Sequence, residues 1–296
     1  MNLSLIDLHC DTIYEIYTKK KAFDDPSLAV HLKRDFSDVY AFYWQVSAIW
    51  SDARLSDQDA FAQCLRILNC FKENFDDAFV SVILAVEDAR ILANDLDRLN
   101  ILYQNGVRFL TFLWKGLSCI GGAYDTTEGL TPFGKKVVNQ CTRMGMIPDL
   151  SHASVQSAYD ILEQSSGSAV VASHSNSFSV FSHPRNLRDD LFEEIRNRGG
   201  LVGINLCQAH LGIDSLKESE VDTVLRHVER YLTLGGENTV CFGCDFDGAV
   251  TPSALQRPQD LILIANEMLR RGYARSIIEN LFWKNAKRFI ENHGLI

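Results

Sequence analysis

Eight apolar runs, dense in β-branched and aromatic residues, alternate along this chain with stretches of helical periodicity, and that alternation restricts the fold more than any other feature. The runs are SLIDLH (Leu3 to His9), AFYWQVSAIW (Ala41 to Trp50), FVSVILAV ending at Glu87, VRFLTFLW (Val107 to Trp114), MIPDLSH, SAVVASH, GGLVGINL and NTVCFGCDFD. Helical segments separate them: 12–20, the stripe of Phe61, Cys64, Leu65, Leu68 and Phe71, the segment to Gln104, TPFGKKVVNQCTRMG, ASVQSAYDILEQ, RDDLFEEIRNR and ESEVDTVLRHVERYLTLG. RPQDLILIANEMLRRG and a last helical region to Asn292 close the chain. Ser56 followed by Asp59 reads as a capping box at the head of the Phe61 helix. Strand then helix, eight times over, is the count of a (β/α)8 TIM-type barrel, an α/β fold of about 250 residues. With 296 residues and no Pro/Gly/Ser-rich linker or internal repeat, one domain over 1–296 is expected. A long glycine-containing loop through Gly121, Gly122 and Gly129 follows the fourth run, and loops of that length in a compact domain are usually functional.

Chemistry sits at the ends of these runs. DLHCDT carries His9 and Asp11, VILAVED carries Glu87, PDLSH carries His152, VVASHS carries His174, HPRN carries Arg185 and CFGCDFDG carries Asp245. Alternate side chains of a strand share a face, so His9 and Asp11 are expected to point the same way and to suit one cation with an imidazole and a carboxylate. An open sheet would spread these ends along an edge some tens of ångströms wide at about 4.8 Å per strand, whereas a barrel gathers them at its C-terminal mouth. Together they suggest a two-metal hydrolase.

Other histidines and acids read more plainly. His183 and His210 lie off the run ends, His31 and His293 read as surface residues, and His227 falls inside a helix as an exposed or packed residue. Asp247 reads either as a support to the site or as a loop cap, and Asp149 either orients a neighbour or holds a turn. Cys241 and Cys244 form a CxxC, but residues three apart on a strand face opposite sides and no second pair completes a four-thiolate site. Core packing suits Cys64, and the eight cysteines show no disulfide spacing. A hydrophobic content of 46% against 23% charged residues indicates a large core. The net charge of −9, with no basic stripe, argues against nucleic acid and anionic membrane as partners; Lys19, Lys20 and Lys21 read as a solvated helix end. No apolar stretch approaches the roughly 18 residues of a membrane span and no leader precedes the first run, so a cytoplasmic protein is expected.

In motif content and order the chain resembles the membrane (renal) dipeptidases, from DLHCDT through GVRFLT, GLTPFGKKVV, IPDLSHAS, SHSNS, PRNLRDD and CDFDG to NLFWKNAKRF. The resemblance implies hydrolysis of dipeptides by two zinc ions and a metal-bridging hydroxide. It implies His9 and Asp11 on one ion, His152 and His174 on the other, and Glu87 as the bridging carboxylate. It implies Arg185 on a polar end of the substrate, Asp245 handling a proton or the substrate amine, and a homodimer. The pattern is broken at Asp88, where the family has glycine, and at Trp114, where mammalian members have a catalytic histidine; Trp114 is therefore expected against the substrate. Two other readings stand beside this one: another metal-dependent amidohydrolase, such as a deaminase or lactonase, and a non-catalytic metal-binding homologue. Barrels of the former kind often bridge their metals with a carboxylated lysine on the fourth strand; Lys115 is adjacent, but Glu87 already supplies a bridge.

Overall fold

The computed structural model describes residues 3–75, 80–213 and 219–295. Eight parallel strands close into a barrel in sequence order, the last pairing with the first through Phe242 and Asp7. Three are long, β1 (Leu3–Cys10), β2 (Tyr40–Trp50) and β3 (Val80–Glu87). The others are short: β4 (Val107–Thr111), β5 (Ile147–Asp149), β6 (Val171–Ala172), β7 (Leu201–Ile204) and β8 (Val240–Phe242). Between them run α1 (Thr12–Lys19), α2 (Asp57–Asn74), α3 (Asp97–Gln104), α4 (Pro132–Arg143), α5 (Val155–Gln164), α6 (Asp189–Asn197), α7 (Gln208–Leu211) and α8 (Glu220–Thr233). After β8 come α9 (Ile262–Arg270), α10 (Arg275–Glu279) and α11 (Asn285–Asn292), the last two joined by a π-helical turn over Asn280–Lys284 where one helical region was expected. Phe79 and Glu218, expected to open a strand and a helix, lie outside the described residues.

A hydroxyl cap starts the Phe61 helix at Ser56 as expected, and the structure adds three more. Ser56, Thr131, Ser154 and Ser219 each accept the backbone N–H three residues on, and Pro132 follows Thr131 at the first helical position. At Ser56 the reciprocal half of the box is replaced: its hydroxyl donates to the Asp59 carboxylate at 2.7 Å.

Ile6 and Leu8, Val46 and Ala48, Ile83 and Ala85, with Phe109, Ile147, Val171, Leu201 and Cys241, pack inside the barrel, and Phe289 and Ile290 of α11 join them. The opposite parity packs outward against the helices, Cys64 included. β1 interrupts this alternation near its end. It uses three steps from Asp7 to Cys10 where β2 uses two from Gln45 to Ser47, and the extra residue turns His9 toward the side of Ile6 and Leu8.

Five runs leave the sheet earlier than expected: the fourth at Thr111 rather than Trp114, and the fifth, sixth, seventh and eighth at Asp149, Ala172, Ile204 and Phe242. The backbone there finds other partners. Ser151 and Ser173 N–H both donate to Asp149 Oδ1 at 2.9 Å, and Ser175 N–H to the Gly203 carbonyl at 2.7 Å. A β-carbon on Gly203 or Gly243 would stand 1.9 or 1.7 Å from the Ser173 carbonyl oxygen, so glycine is what lets β7 and β8 close against the chain just before His174. No helix among the described residues is long and apolar enough to cross a membrane.

Candidate metal centre

The barrel mouth is assembled from residues at and just past the strand ends. Beyond β8 the chain stays alongside β1: Asp245 N–H donates to the His9 carbonyl at 3.1 Å and Asp11 N–H to the Phe246 carbonyl at 3.0 Å. This pairing sets Asp245 beside His9 and Asp11. Asp11 has left the strand and leads into α1, so strict alternation does not place it; its Oδ2 nevertheless comes within 3.5 Å of His9 Nε2. His152, Asp245, Asp247 and Asp88 adopt left-handed backbone (φ 67°, 64°, 65° and 76°), a conformation costing on the order of 1 kcal/mol each and found where a fold holds a side chain in a required place. Gly248 has no such freedom to lose: a β-carbon there would meet Asp11 Oδ2 at 1.9 Å and Asp245 Oδ1 at 2.7 Å.

Glu87, the last residue of β3, stands between two groups. Its Oε1 is 2.9 Å from His152 Nε2 and 3.4 Å from His174 Nε2, and its Oε2 is 3.7 Å from His9 Nε2. His9 Nε2 in turn lies 3.5 Å from Asp11 and 4.0 Å from Asp245. His9, Glu87 and His174, and separately His9, Asp11 and Asp245, bring ligand atoms close enough to hold an ion.

Hydrogen bonds assign the protons of two of these rings. His152 Nδ1 lies 3.1 Å from the Trp114 carbonyl oxygen, which only accepts, so Nδ1 carries the proton and Nε2 is bare. Ser173 Oγ lies 2.5 Å from Asp149 Oδ2 and 2.7 Å from His174 Nδ1. Its single proton goes to the carboxylate, so it accepts from His174 Nδ1–H, and His174 Nε2 is bare as well. The two Nε2 atoms are 3.0 Å apart. With a lone pair on each, that contact is repulsive unless a cation sits among them. His9 Nε2, Asp11 Oδ1 and Glu87 Oε1 are buried without a hydrogen-bond partner, and buried polar atoms are rarely left so. Carboxylate and imidazole donors of this kind suit zinc.

Electrostatics divide the three imidazoles. Burial and the nearby charges of Arg185 and His9 hold His152 and His174 well below the ordinary imidazole range, which keeps both rings neutral. Burial works against charge on His9 too, but Glu87, Asp11 and Asp245 outweigh it and raise it to about 10. Burial raises Glu87 well above the usual carboxylate range and Asp245 to about 6, shifts that nearby divalent cations would reverse.

A cleft of about 360 Å³ opens over this cluster, lined by Trp50, Trp114, Tyr14 and Tyr124 on its aromatic side and by Asp11, Glu87, His152 and Asp245 on its polar side. Trp114 meets Trp50 edge to face at 4.9 Å. A larger hollow of about 850 Å³ beside α1 is lined by Lys20, Lys21, Lys33 and Arg54 and contains none of the cluster. Arg185 is not among the cleft-lining residues. It is buried behind His174, donating to the His174 carbonyl and to Ser175 Oγ at 3.0 Å each, with Nε unpartnered.

The remaining candidates resolve individually. Asp247 is a loop tie, accepting from Thr12, Ala29 and Val30. Asp149 orients its neighbours through Ser151 and Ser173. Asp88 faces Arg90 at 3.3 Å, and burial raises it to about 7. His227 is fully buried and hydrogen-bonded, His210 lines the cleft and His183 lies against it at 4.8 Å, His31 is half-buried, and His293 and Lys115 are exposed. Cys241 and Cys244 are buried and unpaired. Sequence reading missed Gly248, Ser173 and Asn205, which donates to Asp245 Oδ2 at 3.1 Å; of these, only the glycine of CDFDG carries a local signal.

The sequence matches the family described as membrane dipeptidase (peptidase family M19) over residues 63–294. An uncharacterised protein of the pqqA 5′ region of Klebsiella pneumoniae is 30% identical over 265 residues, covering 86% of this chain and 97% of that protein. Among solved structures, the dipeptidase AC, a metallo peptidase of the same family, superposes with a TM-score of 0.84 at 25% identity, over 100% of this chain and 98% of that one. A Rhodobacter sphaeroides metallo peptidase, solved with a phosphinate mimic of the dipeptide L-Ala-D-Ala, shares the fold with a TM-score of 0.82 at 24% identity, over 100% of this chain and 99% of the other. With the family match spanning most of the barrel and the relatives similar along nearly their full length, this chain belongs to the membrane dipeptidase family and is a metallo-dipeptidase.

Proposed function

We propose that the chain hydrolyses dipeptides with two zinc ions, one held by His9 and Asp11, the other by His152 and His174, with Glu87 shared between them. The observation that carries this reading is the division of Glu87: one carboxylate oxygen faces His152 and His174 and the other faces His9. Zinc ions bound there would lower the pKa of a water toward neutrality and polarise the scissile carbonyl.

The protein's own groups do the rest. Asp245 Oδ1, on the cleft side and 4.0 Å from His9 Nε2, takes the proton of the attacking water and returns it to the departing amine nitrogen, while Asn205 holds the other carboxylate oxygen. Arg185, expected on a polar end of the substrate, lies instead beneath His174 and outside the cleft lining, where it places a fixed positive charge and ties the His174 carbonyl to Ser175 Oγ. Trp50, Trp114 and Tyr124 give the substrate side chains an apolar wall.

The test is zinc content together with turnover of a dipeptide panel. Two ions per chain with dipeptide hydrolysis is the expected result. Two ions with no dipeptide hydrolysis favours another amidohydrolase reaction or a non-catalytic homologue.

A further inference from the structure

Asp149 accepts from four donors. Ser151 N–H and Ser173 N–H reach Oδ1 at 2.9 Å each, and Thr111 Oγ1 and Ser173 Oγ reach Oδ2 at 2.6 and 2.5 Å. The two backbone donors immediately precede His152 and His174, so one buried carboxylate ties together the two loops that carry these histidines. Ser151 adds a cross-link, its Oγ accepting the His174 N–H at 3.1 Å.

The hydroxyl contact adds something that loop anchoring does not need. Two oxygens 2.5 Å apart require a proton between them, and serine has only one. With that proton directed to Asp149, Ser173 Oγ can only accept from His174 Nδ1, 2.7 Å away. The proton of a neutral His174 is thereby confined to Nδ1, and Nε2 is left bare toward Glu87 and His152. Which ring nitrogen binds a metal is set by the hydrogen bond the other makes.

We propose that Asp149 and Ser173 are positioning residues of this centre: Asp149, acting through the Ser173 hydroxyl, holds His174 in its Nδ1–H form with Nε2 poised for a cation. The proposal rests on the two-zinc reading for its purpose, but its geometric content concerns the protein alone.

Ser173→Ala separates the relay from the loop anchor, because both backbone N–H bonds to Asp149 survive it. ¹⁵N NMR of the metal-free protein reads the ring directly: wild-type His174 is expected to be protonated at Nδ1, and S173A to shift its population toward Nε2–H. Zinc titration of S173A is expected to show affinity at one of two sites weakened about 10- to 100-fold, with unchanged far-UV circular dichroism. Asp149→Asn, which cannot accept all four donors, is expected to weaken that site at least as much. A wild-type His174 protonated at Nε2, or S173A binding both ions with wild-type affinity, would overturn the proposal. Wild-type protein that binds no zinc would count instead against the two-zinc reading, since the tautomer is measured without metal.

Discussion

His152 Nε2 and His174 Nε2 face each other across 3.0 Å, each on a ring whose proton is drawn to the other nitrogen. A pair of bare imidazole nitrogens beside a carboxylate is an arrangement that a shared cation stabilises and its absence does not.

Gly248→Ala places a methyl group where Asp11 Oδ2 and Asp245 Oδ1 now lie, at 1.9 and 2.7 Å. Either the two carboxylates part or the loop after β8 shifts. Zinc content is expected to fall by about one ion per chain and turnover to fall at least about 100-fold, since an ångström of misplacement in a catalytic constellation costs that much. Metal analysis of the purified variant checks it; an unchanged ion count contradicts it.

Trp114 acts on His152 through its main-chain carbonyl and on the cleft through its ring. Replacing the ring should therefore separate the two effects. Trp114→Ala is expected to keep both ions and to raise KM for dipeptides with bulky side chains. Trp114→His is expected to raise kcat, by up to about 10²-fold if an added donor reaches the tetrahedral oxyanion. Kinetics on L,L- and L,D-dipeptides with zinc-loaded variants decide between these outcomes and no effect.

Arg185→Lys keeps the charge but cannot donate to Ser175 and the His174 carbonyl in the same plane. A fall in kcat/KM of about 10- to 100-fold is expected. If Arg185 also binds the free carboxylate of the substrate, wild-type protein will cleave a C-terminally amidated dipeptide less well than the free acid, and equal rates would remove that role.

His227 offers a pH test outside the centre. Its Nδ1 accepts from Ser177 N–H and its Nε2–H donates to the Leu211 carbonyl, both at 3.1 Å, so the neutral ring fits and the protonated ring does not. Burial lowers it to about 4 from 6.5. The unfolded chain then binds the proton more readily, so this contribution is complete above pH 6.5 and is lost as pH falls through 4, reaching about 3 kcal/mol. His227→Gln, able to make both bonds without titrating, should flatten the loss of thermal stability between pH 7 and 5; equal slopes would contradict the assignment.

Much of this was legible along the chain because strand and helix periods are local. The eight apolar runs, the cap at Ser56 and the residues at the run ends all declare themselves within a few positions. His9 and Asp11 meet, though by a bulge and a helix entry rather than by simple alternation. What the chain did not reveal depends on atoms brought together from different strands. The early ends of β5 and β6 follow from Asp149 taking over backbone bonds, the burial of Arg185 from its contact with the His174 carbonyl, and the role of Gly248 from a contact with Asp11. None of these leaves a periodic trace.

The most direct measurement is zinc bound per chain in wild type and in His174→Ala, made on the same preparations that are assayed for dipeptide hydrolysis. Two ions and turnover in the wild type, with about one ion and no turnover in the variant, is the predicted result. Two ions and undiminished hydrolysis in His174→Ala would contradict it.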